Sequence, residues 1–193
     1  MAGGKQTFRS PGAVVTGGIT VVATLGLAGF GALYPDAGWA DWLILAMVLV
    51  ALASYVAQIR PAVVLGETHL TLRNMLATVH IPWPAVGEVL VQQITTVEAG
   101  DHVYDCPAVG RSPRQIKRDA ALPLDHHPTE DSFGRFVESE IQHRARDARA
   151  KEGIEEGSAE QAAAADGVRV TRAWPEIVLL VATIAALVVA IVT

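Results

Sequence analysis

The sequence predicts a membrane protein: three transmembrane helices and one α+β cytoplasmic domain, a bent antiparallel sheet capped by a C-terminal amphipathic helix. Three observations carry that expectation. Three long apolar runs contain no Asp, Glu, Lys, Arg or His. Every lysine and arginine falls outside the loop joining the first two runs. Between the second and third runs, a period-two alternation gives way to a helical stripe. The composition agrees, with 51% hydrophobic and 18% charged residues over 193 positions and a mean hydropathy of +0.33. A net charge of −5 argues against a general nucleic-acid binder, which needs a basic face. The single cysteine, Cys106, cannot form an internal disulfide or a cysteine-rich zinc site.

Residues 1–12 read as a short tail carrying Lys5 and Arg9. The run at 13–34, AVVTGGITVVATLGLAGFGALY, fits the roughly 20 residues that cross a bilayer. It is too long for the core of a cleaved signal, and no small-x-small site follows. The run at 42–59, WLILAMVLVALASYVAQI, would rise about 27 Å as a helix, close to a hydrocarbon core of about 30 Å. Arg60-Pro61 ends it, because proline disfavours helical geometry in the residue before it. The third span, 174–193, opens on an interfacial Trp174 and continues as IVLLVATIAALVVAIVT. Alanines recur at four-residue spacing (Ala28/Ala32, Ala53/Ala57, Ala182/Ala186/Ala190) and offer close helix–helix approach. The absence of Asp, Glu, Lys, Arg and His from the apolar runs counts against a transporter or proton pump.

The loop PDAGWAD between the first two spans holds Asp36 and Asp41 but no basic residue. All fifteen lysines and arginines therefore lie on one side, which the positive-inside rule makes cytoplasmic. The expectation is a multi-pass plasma-membrane protein with the N-terminus and domain inside and the C-terminus outside.

Residues 60–150 form the expected domain and 151–172 a linker to the last span. AVVLG reads as a strand; HLTLRN alternates Leu70 and Leu72 with Thr71 and Arg73, and Asn74 marks a reversal. ATVHI places Val79 and Ile81 on one face. Pro82 and Pro84 bracket Trp83, so PWPAV reads as a turn or a single helical turn. GEVLVQQITTVEAG reads as one long β-prone run closed by AGD, and HVYDCPAVG as a further strand with Cys106 as a small packing residue. RSPRQIKRDAALPLDHHPTED reads as a long polar loop. A helix then follows, with Thr129 as N-cap, Glu130 and Asp131 in its first turn, and Phe133, Phe136, Val137 and Ile141 on one stripe.

The stretch LTLRNMLATVHIPWPAVGEV resembles the PH-like domains of small actinobacterial membrane proteins. A strand, an Arg-Asn turn, a strand ending in Ile-Pro-Trp and a valine-containing run stand here as Leu70, Leu72, Arg73, Asn74, Ile81, Pro82, Trp83 and Val89. The resemblance covers about residues 60–145 and implies a pleckstrin-homology-type fold. Pro84, the long loop and the third span depart from it.

Arg111, Arg114, Lys117 and Arg118 are the lipid head-group candidates, within eight residues of one another. Set against them, residues 60–172 hold 13 basic and 17 acidic side chains, so only a weak anionic-lipid contact is expected. Asp125, His126 and His127 resemble the start of a metal-dependent phosphoesterase motif, but no further aspartates follow in a suitable pattern and no metal is expected. No phosphate-binding glycine motif or nucleophile with a base is present, so neither a cofactor nor an enzyme is expected. The functional expectation is a non-catalytic adaptor whose domain meets another membrane protein at the bilayer, through a sheet edge or the flank of the helix. Two alternatives stay open: an accessory subunit of a larger membrane complex, and an anionic-lipid sensor acting through residues 111–118.

Overall fold

A computed structural model describes residues 5–34, 36, 38–121 and 132–192. The chain forms two compact units, Met1–Ser10 with Pro61–Thr171, and Pro11–Arg60 with Arg172–Thr193.

The second unit is helical. Helix α1 spans Pro11–Leu33; α2 spans Asp41–Ser54 and runs on as a π-helical turn, Tyr55–Ile59. A further helix, numbered α6 because three lie between, spans Trp174–Val192. All three are long and apolar enough to cross a membrane. Arg60 Nε donates to Glu176 Oε1 at 2.8 Å, joining the end of the second apolar segment to the first turn of the third. The alanine spacing does not choose the packed faces. Ala28 is buried with Gly17 and Gly31, and Ala51 with Ser54, whereas Ala32, Ala53, Ala57, Ala182 and Ala186 stay exposed. Glycine and serine serve close approach better where a larger neighbour must fit: a Cβ on Gly31 would lie 2.8 Å from the Trp39 ring.

The first unit contains two sheets among the described residues. Strands β1 (Gln6–Phe8), β2 (Ala62–Leu65), β3 (His69–Arg73) and β4 (Ala77–Pro82) form an antiparallel array, and β8 (Arg169–Arg172) joins β4. Strands β5 (Val86–Val91), β6 (Thr95–Ala99) and β7 (His102–Cys106) form a separate antiparallel meander. The period-two pattern sends Val63, Leu65, Leu70, Leu72, Val79 and Ile81 into one core with Val89, Val91, Val97 and Cys106 of the second sheet. Trp83, in a 3-10 turn Trp83–Ala85 between the sheets, is 3% exposed, and its Nε1 donates to Gly66 O at 3.1 Å. Helix α4 (Phe133–Glu152) covers the core with Val137, Ile141 and Ala145 at helical spacing.

Several elements depart from the sequence reading. Residues 6–8, read as tail, pair with β2, and Phe8 meets Phe133 and Phe136 edge-to-face at 6.1 and 6.2 Å. Those two phenylalanines are therefore a partly exposed cluster beside the core rather than part of it. The supposed single run after Trp83 folds back at residues 92–94 to become β5 and β6. Within the supposed loop lies α3 (Pro113–Ala120). Within the supposed linker lie α5 (Ala159–Ala164) and β8. Helix α4 takes its cap from the Ser132 hydroxyl, which accepts from Arg135 N at 3.4 Å. Thr129, Glu130 and Asp131 lie outside the described residues, as do Asp125, His126 and His127.

Candidate functional site

The domain offers three regions that sequence reasoning, or the fold itself, singles out. The first is the basic cluster. Ser112, Pro113 and Gln115 make a capping box that starts α3: Gln115 N donates to Ser112 Oγ and Ser112 N to Gln115 Oε1. The helix splits the four candidates. Arg114, Lys117 and Arg118, at i, i+3 and i+4, share one exposed stripe. Arg111 precedes the cap and turns inward. Its Nη2 donates to Glu138 Oε2 at 2.7 Å, its Nη1 to Asp119 Oδ2 at 3.3 Å, and its Nε to Val91 O. Burial alone would push the Asp119 carboxyl up, but the Ser132 hydroxyl and Arg111 together hold it below its ordinary value. Arg135 Nη1 donates to Asp119 O at 2.6 Å, tying the end of α3 to α4. Gly134 makes room for this network, since a Cβ there would collide with Arg111 Cγ. Arg111 is thus a structural ion-pair partner, and only the other three cations face solvent.

The second region is the flank of α4 along β5. Glu138 Oε2 accepts from Val91 N at 2.9 Å, and Gln142 Nε2 donates to Val89 O at 3.1 Å. Arg149 Nη1 and Gln161 Nε2 donate to Val86 O at 2.5 and 3.1 Å. With Arg111 on Val91 O, side chains occupy the hydrogen-bonding edge that a docked peptide would use. This flank, one of the two expected peptide surfaces, is closed. The residues responsible repeat at 138, 142 and 149 on one side of α4, a signal readable only once the helix's neighbour is known.

The third region is the pair of outer sheet faces. The outer face of the first sheet carries Arg73, Arg169, His69 and His80; Arg172, three residues after Arg169, points to the other side of β8, and none of these strands carries an acid. The His69 and His80 rings meet edge-to-face at 5.4 Å, and the Thr71 hydroxyl lies 3.2 Å from His80 Nδ1. Burial, followed by the nearby His69, Arg73 and Arg169, pushes the His80 imidazole below its ordinary value. The second sheet is the reverse: its strands carry Glu88, Glu98 and Asp105 and no lysine or arginine. Glu88, Glu98, Asp101 and Glu156 line a recess of about 350 Å³ beside this sheet.

The motif residues are scaffold. Leu70, Leu72, Ile81 and Trp83 are buried; Asn74 Nδ2 donates to Asp105 O at 2.7 Å; Arg73 is exposed on the basic face. Cys106 is fully buried, and burial pushes its thiol up to about 11, so it is a packing residue rather than a nucleophile. Among the described residues, no group of three or more His, Cys, Asp or Glu is placed to hold a metal.

Residues 60–173 match the profile of the bacterial PH domain family. The match takes in α5 and β8 and so extends past residue 150. No curated protein and no solved structure matches the chain.

Proposed function

The chain belongs to the bacterial PH domain family, and on that basis we propose that it is a non-catalytic adaptor. In this reading, three membrane-spanning helices hold the domain at the cytoplasmic face of the plasma membrane, where its outer surfaces bind another membrane protein. The observation that carries the reading is the separation of charge between the two sheets over an interior filled with side chains. Recognition then falls on the outer faces, and a basic face beside an acidic one suits directed contact with a protein, because complementary charge sets orientation and on-rate.

Chain connectivity supports the topology. Strand β1 leads into α1, β2 follows the second apolar segment, and β8 leads into α6. These strands share one sheet, so the three helix ends nearest them belong on one side of a bilayer. All fifteen lysines and arginines belong to that side, the cytoplasmic one by the positive-inside rule.

One observation favours a second reading, contact with anionic lipid: Arg114, Lys117 and Arg118 stand together on an exposed helical stripe, each worth about 1 kcal/mol at an anionic surface. Purification in mild detergent, with identification of co-purifying chains, separates the readings. The adaptor reading expects a protein partner held weakly or below stoichiometry; a stoichiometric, salt-resistant partner would make the chain an accessory subunit instead. No partner, together with firm sedimentation on anionic vesicles that the triple Gln variant at 114, 117 and 118 loses, would overturn the adaptor and put the lipid sensor first.

A further inference from the structure

We propose that the outer edge of β7 is a docking site for a short, extended, basic segment of a partner protein, which adds to the second sheet as a fourth strand. The inference rests on the adaptor reading and gives it a site and a partner chemistry.

The geometry of the hairpin decides which backbone groups are on offer. A two-residue turn, Gly100-Asp101, joins β6 to β7, with Gly100 at φ +59. The closing pair, Ala99 and His102, is hydrogen-bonded in such a turn. Alternation then points the N–H and C=O of His102, Tyr104 and Cys106 at β6, and those of Val103 and Asp105 outward. The Asn74 bond to Asp105 O, at 2.7 Å, agrees with that assignment. Among the described residues, the N–H and C=O of Val103 and the N–H of Asp105 have no hydrogen-bond partner.

The opposite edge of the same sheet shows what protection looks like here. Five side-chain hydrogen bonds close β5. On β7 there is no proline, lysine or bulge, the usual protections of an edge strand, and Val103 is 57% exposed. The open edge has the hydrogen-bonding capacity that strand addition uses.

Charge selects the occupant. Val103 pairs with Glu98 and Asp105 with Thr96, so Glu98 and Asp105 share an outer face with Val103, and Asp101 sits in the adjoining turn. A second copy pairing β7 with β7 would bring like carboxylates together, which is unfavourable. An extended segment alternating basic and apolar residues instead sets its cations on this outer face, beside Asp105 and across Val103 towards Glu98, and turns its aliphatic side chains to the opposite face, the one Tyr104 shares. Because Asn74 takes the Asp105 carbonyl, the docked strand ends there and is only a few residues long.

The test uses the full chain in nanodiscs of zwitterionic lipid and two labelled probes, an alternating Lys/Val peptide and its Glu/Val counterpart. Binding is read by anisotropy and hydrogen exchange. Expected are binding of the Lys/Val peptide alone and slowed exchange at Val103 and Asp105. Val103→Pro removes one outward N–H and leaves the β6 pairing intact; it should weaken binding about ten-fold or more. Asp105→Lys keeps the backbone and should shift preference towards the Glu/Val peptide. Absence of binding, protection elsewhere than β7, equal binding of both peptides, or full binding by both variants would overturn the site. A native partner retained equally by wild type and Val103→Pro would also overturn it while leaving the adaptor reading intact; failure to recover any protein partner with either chain would instead remove the adaptor reading itself.

Discussion

The two sheets of the domain are built from different materials and show different surfaces. The second sheet is local: β5, β6 and β7 occupy 86–106, with short turns between them. The first is assembled from distant pieces, since β1 lies before the first apolar helix and β8 immediately before the last. Charge follows the same division, with arginine and histidine on the strands of the first and acids on those of the second. An acidic excess summed over the domain therefore describes neither face. Recognition depends on where a charge sits, and a sum over sequence cannot say that.

The shared core is where the comparison can be broken most severely. Trp83 lies between β4 and β5 in the chain and is buried in the core that both sheets share. Trp83→Ala should cost about 3–5 kcal/mol. Hydrogen exchange at the amides of Leu70 and Leu72 in the first sheet and of Val97 in the second, on the detergent-solubilised full chain, would measure it. A loss confined to one sheet would show that the two do not share a core.

Next comes the network that closes β5. Arg111→Gln takes the cation from Glu138 and leaves Asp119 only the exposed Arg118 guanidinium at 3.9 Å, and should destabilise the domain by about 3 kcal/mol. The same exchange-based measurement applies, read at the β5 amides. An unchanged value would place Arg111 with the exposed cations and restore a four-residue basic cluster.

These two residues also mark how far the sequence was legible. The alternation in β2, β3 and β4 and the proline-bracketed Trp83 could be read directly, because half-buried strands impose a period of two. Helix α4 was legible through Val137 and Ile141. The cap of α3 was present as Ser112-Pro-Arg-Gln115, but the charges and prolines around it read as loop. Strand β1 has only three residues, of which Phe8 alone packs against the core, and β8 has four, all exposed, so no local pattern separates them from tail or linker. Their strand character comes from pairing with β2 and β4, contacts distant in sequence. The inward turn of Arg111 was hidden for a similar reason: Glu138 and Asp119 are neighbours only after folding.

A smaller effect concerns the second sheet alone. The Cys106 thiol, pushed up to about 11 from 9.0 by burial, stays protonated while the unfolded chain ionises. Its contribution to stability is complete below about pH 9 and is lost as pH rises towards 11, up to about 2–3 kcal/mol. Thermal melts of wild type and Cys106→Ala, compared between pH 8 and pH 10.5, isolate the term. Parallel alkaline slopes would show that Cys106 does not lie in the closed core.

Smallest of all should be the stability cost of changing Arg114, Lys117 and Arg118 together to Gln. These side chains are exposed, and the domain should stay within about 0.5 kcal/mol of wild type. The contrast with Arg111→Gln separates a structural cation from three surface ones within eight residues.

The central claim of the proposed reading is that the domain lies on the cytoplasmic side and the loop between the first two apolar helices on the other. Single cysteines at Gly38 and at Glu155, in a Cys106→Ala background, test it most directly. Glu155 is exposed, whereas the neighbouring Ser158 caps α5 and is better left intact. In intact cells an impermeant maleimide should label the cysteine at 38 and spare the one at 155, which should react only after permeabilisation. Labelling at 155 in intact cells would place the domain outside and contradict the account.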